Sequence, residues 1–214
     1  MHIPDGFLSP QTYLPAAIIG AGLLMLAYKK VELDVEKIPM LSGVSAIAFV
    51  MMLIIIPIPG GTTVHLSGIA ILALLFNPWV AFMSISLVLL IQALMFGEGG
   101  VTAYPLNMLS LAFLGSFSAY YAYHMFKNFS EKFAIVFAGW ISIVLPSVFI
   151  ATVLGIQPLV ATSNEGSPLF FPFGLEVTLP SIVLPHLLLG IVEGLVTFGV
   201  VKYLQTRFKR AFDE

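Results

Sequence analysis

The chain contains no cysteine, and charged side chains make up only 9% of its 214 residues. The missing cysteines exclude disulfides and thiolate metal sites. The charged fraction is far below the roughly 25% of ordinary soluble proteins. Because 59% of the residues are hydrophobic, a water-soluble core cannot absorb the apolar surface. The composition therefore predicts an integral membrane protein.

Several sequence motifs are also missing. The chain has no G-x-x-x-x-G-K-[ST] phosphate loop, so we expect no ATPase of its own. It has no H-E-x-x-H pattern, which argues against an intramembrane metalloprotease. No cluster of basic residues points to nucleic acid. These absences favour a transport or sensing protein over an enzyme.

The apolar stretches predict seven membrane crossings in an all-α fold. A spanning helix needs about 20 mostly apolar residues. Six stretches reach that length: 11–28, 40–57, 78–96, 105–126, 133–155 and 180–204. A seventh, 66–76, is too short to cross unaided, so we expect irregular backbone over 57–65 to complete its crossing. No repeat or linker divides the chain, and we expect a single transmembrane domain over residues 1–214.

The positive charges predict the orientation of the chain. With seven crossings every basic residue faces one compartment, whereas six crossings would split them between two. Basic loops lie in the cytoplasm by the positive-inside rule, so we expect the N-terminus outside and the C-terminus inside. The nine basic residues are Lys29, Lys30, Lys37, Lys127, Lys132, Lys202, Arg207, Lys209 and Arg210.

Met1 and His2 form a candidate chelator at the chain terminus. The Met1 amine, the His2 backbone nitrogen and the His2 imidazole can close two fused chelate rings around one metal ion. Such a planar, nitrogen-rich set suits Ni(II) or Cu(II) better than Zn(II). His65 lies on the same predicted side and is the candidate fourth ligand. The alternative for His65 is a loop histidine bonded to a neighbouring carbonyl.

Three further polar residues are candidates for supporting or gating such a site. Glu98 lies in a predicted outer loop and is most simply a solvated turn carboxylate, or else an attractor for an entering cation. Asp5 is most simply a turn residue, with a hydrogen bond to the metal-bound imidazole as the alternative. Asn107, like Gln92, is expected to hydrogen-bond between helices.

The last predicted span carries two ionisable residues, His186 and Glu193. Their spacing of seven places them on one helical stripe. Groups at that depth are costly and normally face the bundle interior. A structural polar pair is one interpretation, and a proton or ion pathway is the other. Gly190 and Gly194 in the same span favour close packing against another helix or subunit.

Three separated motifs resemble the CbiM/NikM family. They are Met1–Pro10 (MHIPDGFLSP), 60–68 (GGTTVHLSG) and 92–100 (QALMFGEGG), in the same order as in that family. Its members are substrate-capture (S) components of energy-coupling-factor importers for cobalt and nickel. The resemblance implies a seven-helix membrane protein whose N-terminal segment, residues 1–10, folds into the bundle. It also implies that the Met1 amine, the His2 nitrogens and the His65 imidazole hold the metal.

The resemblance implies partners as well. These are a membrane coupling (T) subunit, two cytoplasmic ATPase subunits and a small additional membrane subunit in some systems. We therefore expect an ATP-driven importer subunit in the cell membrane that captures Ni(II) or Co(II), with nickel favoured. The alternatives are a cobalt-specific member serving cobalamin synthesis, or a proton-coupled secondary carrier that uses Glu193 and His186.

Overall fold

The structure is a computed structural model that describes residues 2–32, 34–58 and 62–207. Its elements follow one another as a helical bundle interrupted by one small hairpin. In chain order they are α1 (Pro10–Lys30), a 3-10 turn (Val35–Lys37), α2 (Ile38–Leu53), β1 (Ile56–Ile58), β2 (Thr62–Val64), α3 (Ile69–Leu75), α4 (Pro78–Ile91), a π-helical turn (Gln92–Phe96), α5 (Tyr104–Asn107), a π-helix (Met108–Gly115), α6 (Ser116–Phe126), α7 (Glu131–Gly155), α8 (Gln157–Val160) and α9 (Leu175–Arg207).

The predicted all-α membrane fold is confirmed. Five helical stretches are long and apolar enough to cross a bilayer: Pro10–Lys30, Val35–Leu53, Pro78–Phe96, Glu131–Val160 and Leu175–Arg207. The continuous run α5, π-helix and α6 is not among these five. Helix α3, the predicted third crossing, has seven residues and is therefore about 10 Å long. It falls well short of the ~30 Å hydrocarbon core.

The backbone leading into α3 is more regular than we expected. β1 and β2 pair antiparallel, with Ile56 opposite Val64 and Ile58 opposite Thr62. The predicted span 40–57 was therefore too long, since α2 ends at Leu53. The predicted start of the third helix at residue 66 was also early, because residues 65–68 are not helical and α3 begins at Ile69. The hairpin turn, 59–61, lies outside the described residues.

The predicted start of the last helix was wrong by five residues. The predicted span began at Pro180, but α9 begins at Leu175 and continues through both Pro180 and Pro185. Neighbouring helices can compensate for such prolines within a membrane bundle.

Helix α9 has an apolar outer face and a polar inner face. Its exposed side chains include Leu184, Leu188, Ile191 and Leu195. Its fully buried side chains include His186, Glu193 and Thr197. This arrangement is typical of a lipid-facing helix, because lipid accepts the apolar face and only the bundle interior can satisfy polar groups.

Helices α7 and α9 approach each other through glycines. A Cβ at Gly139 would lie 2.6 Å from Gly194 Cα, and one at Gly190 would lie 2.7 Å from the Trp140 ring. Trp140 donates its indole N–H to Leu187 O at 3.1 Å, which ties the same two helices together. The predicted role of Gly190 and Gly194 in close helix packing is confirmed.

Candidate metal centre

The segment 2–9 precedes α1 and lies inside the bundle, where Ile3 is fully buried. Asn107 clamps the backbone of Ile3 from both sides. Its Oδ1 accepts from Ile3 N at 2.8 Å, and its Nδ2 donates to Ile3 O at 3.0 Å. Gly100 N also donates to Ile3 O at 2.9 Å. The predicted interhelical role of Asn107 is thus replaced by one of holding the N-terminal segment.

Asp5 fastens the same segment to the loop that follows α4. Its carboxylate accepts from Val101 N at 3.0 Å and from Thr102 N at 2.8 Å, and Thr102 Oγ1 donates to it as well. Burial alone would raise the pKa of Asp5, but these hydrogen bonds outweigh it and lower the pKa below the ordinary value. Its described bonds go to this loop rather than to the imidazole of His2.

Two glycines let this loop approach the N-terminal segment. Gly99 has φ +77°, and a Cβ there would lie 3.3 Å from His2 Cβ. A Cβ at Gly100 would collide with Asp5. Any larger residue at either position would therefore push the loop away from residues 2–5.

The far end of the segment is held by residues from the second half of the chain. Ser9 N donates to Gln157 Oε1 at 3.0 Å. Phe7 packs on Phe171, with ring centroids 5.3 Å apart. Phe171 is only 2% exposed, so it is buried against the N-terminal segment.

His2 is buried between the hairpin and the loop after α4. Its carbonyl accepts from Thr62 Oγ1 at 3.2 Å, and its Nδ1 lies 2.9 Å from Glu98 Oε1. Burial lowers the pKa of His2, and the hydrogen bond with Glu98 opposes part of that effect. The same bond lowers the pKa of Glu98. The interpretation of Glu98 as a solvated turn carboxylate is therefore wrong, since its carboxylate holds the candidate ligand.

His65 follows β2 directly and is 1% exposed. Its ring stacks on that of His2, with centroids 4.7 Å apart and planes 21° apart. Nδ1 of His65 lies 3.0 Å from Leu66 O. A carbonyl can only accept, so Nδ1 carries the proton and Nε2 keeps a lone pair. In the neutral ring, Nε2 is therefore the nitrogen available to a metal ion.

The two stacked rings each carry a buried nitrogen that no hydrogen bond uses. Among the described residues, Nε2 of His2 and Nε2 of His65 are both buried without a hydrogen-bond partner. Two imidazoles on one metal have ring centres within about 6 Å, given metal–nitrogen bonds of ~2.0–2.1 Å. The observed 4.7 Å falls inside that limit. A buried nitrogen without a partner is costly, so the pair fits a metal ion.

Side chains alone do not complete a metal site in the described part of the chain. There, no group of three or more His, Asp or Glu side chains is placed to hold a metal. Further ligands would have to come from backbone or terminal nitrogens, as the Met1-His2 chelate supposes. Met1 itself lies outside the described residues.

The predicted polar pair of His186 and Glu193 does not form. His186 Nδ1 donates to Ile182 O within its own helix, and its Nε2 has no partner among the described residues. Glu193 instead accepts hydrogen bonds from Ser67 and Gly68, just before α3. His186 and Glu193 thus lie on one face of α9 but hydrogen-bond to different partners.

A sequence model of the CbiM family, described as "cobalt uptake substrate-specific transmembrane region", matches residues 2–211. The chain belongs to the CbiM family. It is 37% identical to the fused nickel transport protein NikMN of Rhodobacter capsulatus, over 96% of this chain and 62% of that protein. It is 28% identical to the cobalt transport protein CbiM of Clostridium tetani, over 95% of this chain and 84% of that protein.

A solved structure shares the fold of this CbiM-family chain. It is a crystal structure of a truncated transition metal transporter, with TM-score 0.93 and 39% identity, covering 97% of this chain and 99% of the other. The chain spans less than two thirds of the fused nickel relative.

Sequence reasoning missed three residues that build the site in this family member. Thr62 holds the His2 carbonyl, Gln157 holds Ser9, and Ser67 bonds Glu193. Gln157 offered a signal, since it is a polar side chain at the end of a long apolar run. Thr62 and Ser67 offered none beyond their nearness to His65.

Proposed function

We propose that this chain is the metal-capturing membrane subunit of an ATP-driven energy-coupling-factor importer for Ni(II) or Co(II). The metal would be bound by the free amine of Met1, the backbone nitrogen and imidazole of His2, and the imidazole of His65. One observation carries the proposal. An N-terminal segment is built into the bundle, and it stacks the buried His2 ring on the ring of His65, whose Nε2 is buried without a partner among the described residues.

Nickel is the preferred substrate in this proposal, with cobalt second. Two fused rings force three nitrogens into one plane, and Ni(II) accepts a square-planar field readily. Zn(II) gains little from it, since it favours a tetrahedron. A relative named for nickel at 37% identity and one named for cobalt at 28% agree with this order.

Metal loading requires the His2 ring to turn. Counting atoms from the backbone nitrogen, Nδ1 closes a six-membered chelate ring, whereas Nε2 is one atom too far. Nδ1 faces Glu98 in the structure, so rotation about the Cβ–Cγ bond would direct it to the metal. Glu98 would then remain as a negative charge beside the cation.

The transport step is assigned to partner proteins. A membrane coupling (T) subunit and two cytoplasmic ATPases would supply ATP hydrolysis, since the sequence has no phosphate loop. We place the metal-binding end outside the cell membrane and the C-terminus in the cytoplasm. The distribution of Lys and Arg supports this orientation.

The test compares three proteins purified in detergent: the chain with a free Met1 amine, the chain with one residue added before Met1, and His65→Ala. Nickel content and affinity are measured by elemental analysis and titration calorimetry. We expect the extension and His65→Ala each to lose tight binding. His124→Ala is the matched control, because His124 is exposed and bonds Tyr120 O on α6. Full-affinity binding of one metal per chain by the extended protein would refute the chelate.

A further inference from the structure

Glu193 lies near the middle of the 33-residue helix α9 and is 0% exposed. A carboxylate buried at that depth is strongly unfavourable unless its charge is compensated. The compensation comes from a single short segment of another element. Three donors from two adjacent residues, Ser67 and Gly68, surround the carboxylate.

The three hydrogen bonds use both carboxylate oxygens. Ser67 N donates to Oε2 at 2.9 Å. Ser67 Oγ donates to Oε1 at 2.8 Å, and Gly68 N donates to the same oxygen at 2.9 Å. Every partner donates, so a carboxylate without a proton satisfies all three. Such charge-assisted bonds are about twice as strong as neutral ones.

The clamped segment is the one that carries His65. Ser67 follows His65 by two residues, and Ser67 Oγ also accepts from Ile69 N at 3.2 Å, at the start of α3. The carboxylate therefore fixes the backbone between the candidate ligand and the buried helix. Gly68 in this segment has φ +67°, a conformation that few side chains tolerate.

The backbone that carries the Glu193 side chain is closely packed as well. Gly194, next to Glu193, packs so closely on α7 that a Cβ there would collide with Val136 O. The backbone that carries the carboxylate therefore cannot shift outward or inward without opening the α7–α9 contact. The α7–α9 packing thus fixes the backbone that carries the carboxylate, and the carboxylate in turn fixes residues 67–68.

We propose that Glu193 is the positioning residue of the metal centre. Through Ser67 and Gly68 it sets the position and orientation of the His65 ring relative to His2. This rests on the proposed function, since it assumes that His65 is a ligand. The relevant neighbour of Glu193 is then the loop after the hairpin, and not His186.

The chain offers a nearly isosteric test. Glu193→Gln keeps the shape and one accepting oxygen, but its amide NH₂ must face one of the three donors. Ser67→Ala removes only the hydroxyl and leaves both backbone donors in place. Glu176→Gln is the matched control, because Glu176 is an exposed carboxylate in the first turn of the same helix.

The measurement is the absorption spectrum of bound Ni(II) together with its affinity, with His65→Ala as the reference for a missing fourth ligand. We expect Glu193→Gln to shift the spectrum toward that of His65→Ala and to weaken binding on the order of tenfold. Ser67→Ala shifts it less, in the same direction. We expect the double variant to bind Ni(II) no more weakly than Glu193→Gln alone, because both substitutions disrupt the same contact between Glu193 and Ser67. Glu176→Gln leaves spectrum and affinity unchanged.

The outcomes separate the two proposals. If His65→Ala keeps the wild-type spectrum, the proposed metal centre is wrong and the role of Glu193 falls with it. If His65→Ala changes the spectrum but a folded Glu193→Gln does not, only the positioning role is overturned. If Glu193→Gln fails to fold, Ser67→Ala decides, and an unshifted spectrum in that variant overturns the proposal. A merely structural role would lower the melting temperature without moving the spectrum.

Discussion

His2 Nδ1 and Glu98 Oε1 are 2.9 Å apart and join residues separated by 96 positions in sequence. The carboxylate accepts a hydrogen bond from Nδ1, so Glu98 engages the nitrogen of His2 that is the proposed ligand. The proposed metal ion would therefore compete with Glu98 for Nδ1. Glu98 would contribute both an orienting bond before loading and a negative charge close to the bound cation.

Glu98→Gln keeps an accepting oxygen and removes the charge. A carboxylate roughly 6 Å from a cation contributes on the order of 1–2 kcal/mol at intermediate dielectric. We therefore expect Ni(II) affinity to fall about tenfold by calorimetry, a loss that corresponds to ~1.4 kcal/mol. Glu165→Gln, in an exposed loop, is the control and leaves affinity unchanged. Equal or tighter binding by Glu98→Gln would show that the charge does not assist the cation.

Asn107→Ala should release the N-terminal segment. It leaves the buried N–H of Ile3 without its acceptor at 2.8 Å, which costs about 1–3 kcal/mol. The Ile3 carbonyl keeps its bond from Gly100. We expect metal affinity to drop roughly tenfold, since docking and binding are linked. Asn164→Ala, in an exposed loop, serves as the control. Unchanged amide exchange at Ile3 in Asn107→Ala would contradict the clamp.

Asp5 makes docking of the loop after α4 sensitive to strong acid. Its pKa is lowered in the folded protein, so its contribution is complete above the ordinary value of 3.8. The contribution is lost as the pH falls through the lowered folded value. Amide exchange of Val101 and Thr102, corrected for intrinsic rates, should stay slow from neutral pH down to about 4 and rise below it. Asp5→Asn should exchange faster at every pH without that transition.

The membrane orientation can be tested with introduced thiols, because the chain has no cysteine of its own. Glu165→Cys lies in the exposed loop before α9, and Glu36→Cys lies in the 3-10 turn before α2. In intact cells an impermeant maleimide should label Glu165→Cys and spare Glu36→Cys. After lysis both should react. Labelling of Glu36→Cys in intact cells would reverse the proposed topology.

Helix packing provides a stability prediction with an internal control. Gly194→Ala would drive a methyl group into Val136 O, and we expect a loss of about 1–3 kcal/mol from overpacking. Gly199→Ala lies on the same helix with nothing within 4 Å of its Cβ. Alanine there should be neutral or stabilise by up to ~1 kcal/mol. Melting in detergent measures both, and equal melting temperatures would contradict the close α7–α9 contact.

The class of fold and the proximity of His2 and His65 could both be predicted from the sequence, for a physical reason. Charge placement required a seventh crossing, and that crossing set both histidines on one side. Helix ends were less predictable. An apolar strand such as Ile56–Ile58 has no periodicity that separates it from the end of α2. Pro180 resembles a helix start in sequence, and only its neighbours allow it inside α9.

The contacts that assemble the site were beyond prediction from the sequence. Asn107 and Ile3 are 104 positions apart. No local sequence pattern predicts to which backbone groups a buried side-chain amide will hydrogen-bond. Glu98 was misread for a similar reason, since a Gly-rich turn usually exposes its carboxylate. His186 and Glu193 share a stripe, yet helical spacing identifies a common face and not a common partner.

Residues 2–9 emerge from the ribosome before every element that holds them in place. Ser9 hydrogen-bonds Gln157, which is synthesised 148 residues later. Ile3 can bond Asn107 only after that residue has been synthesised. The contacts that hold the first described residues are therefore complete only after residue 157 has been made. A nascent chain that has inserted α1 to α6 still lacks the contact at Gln157, so the proposed metal centre would be assembled only after α7 has been synthesised.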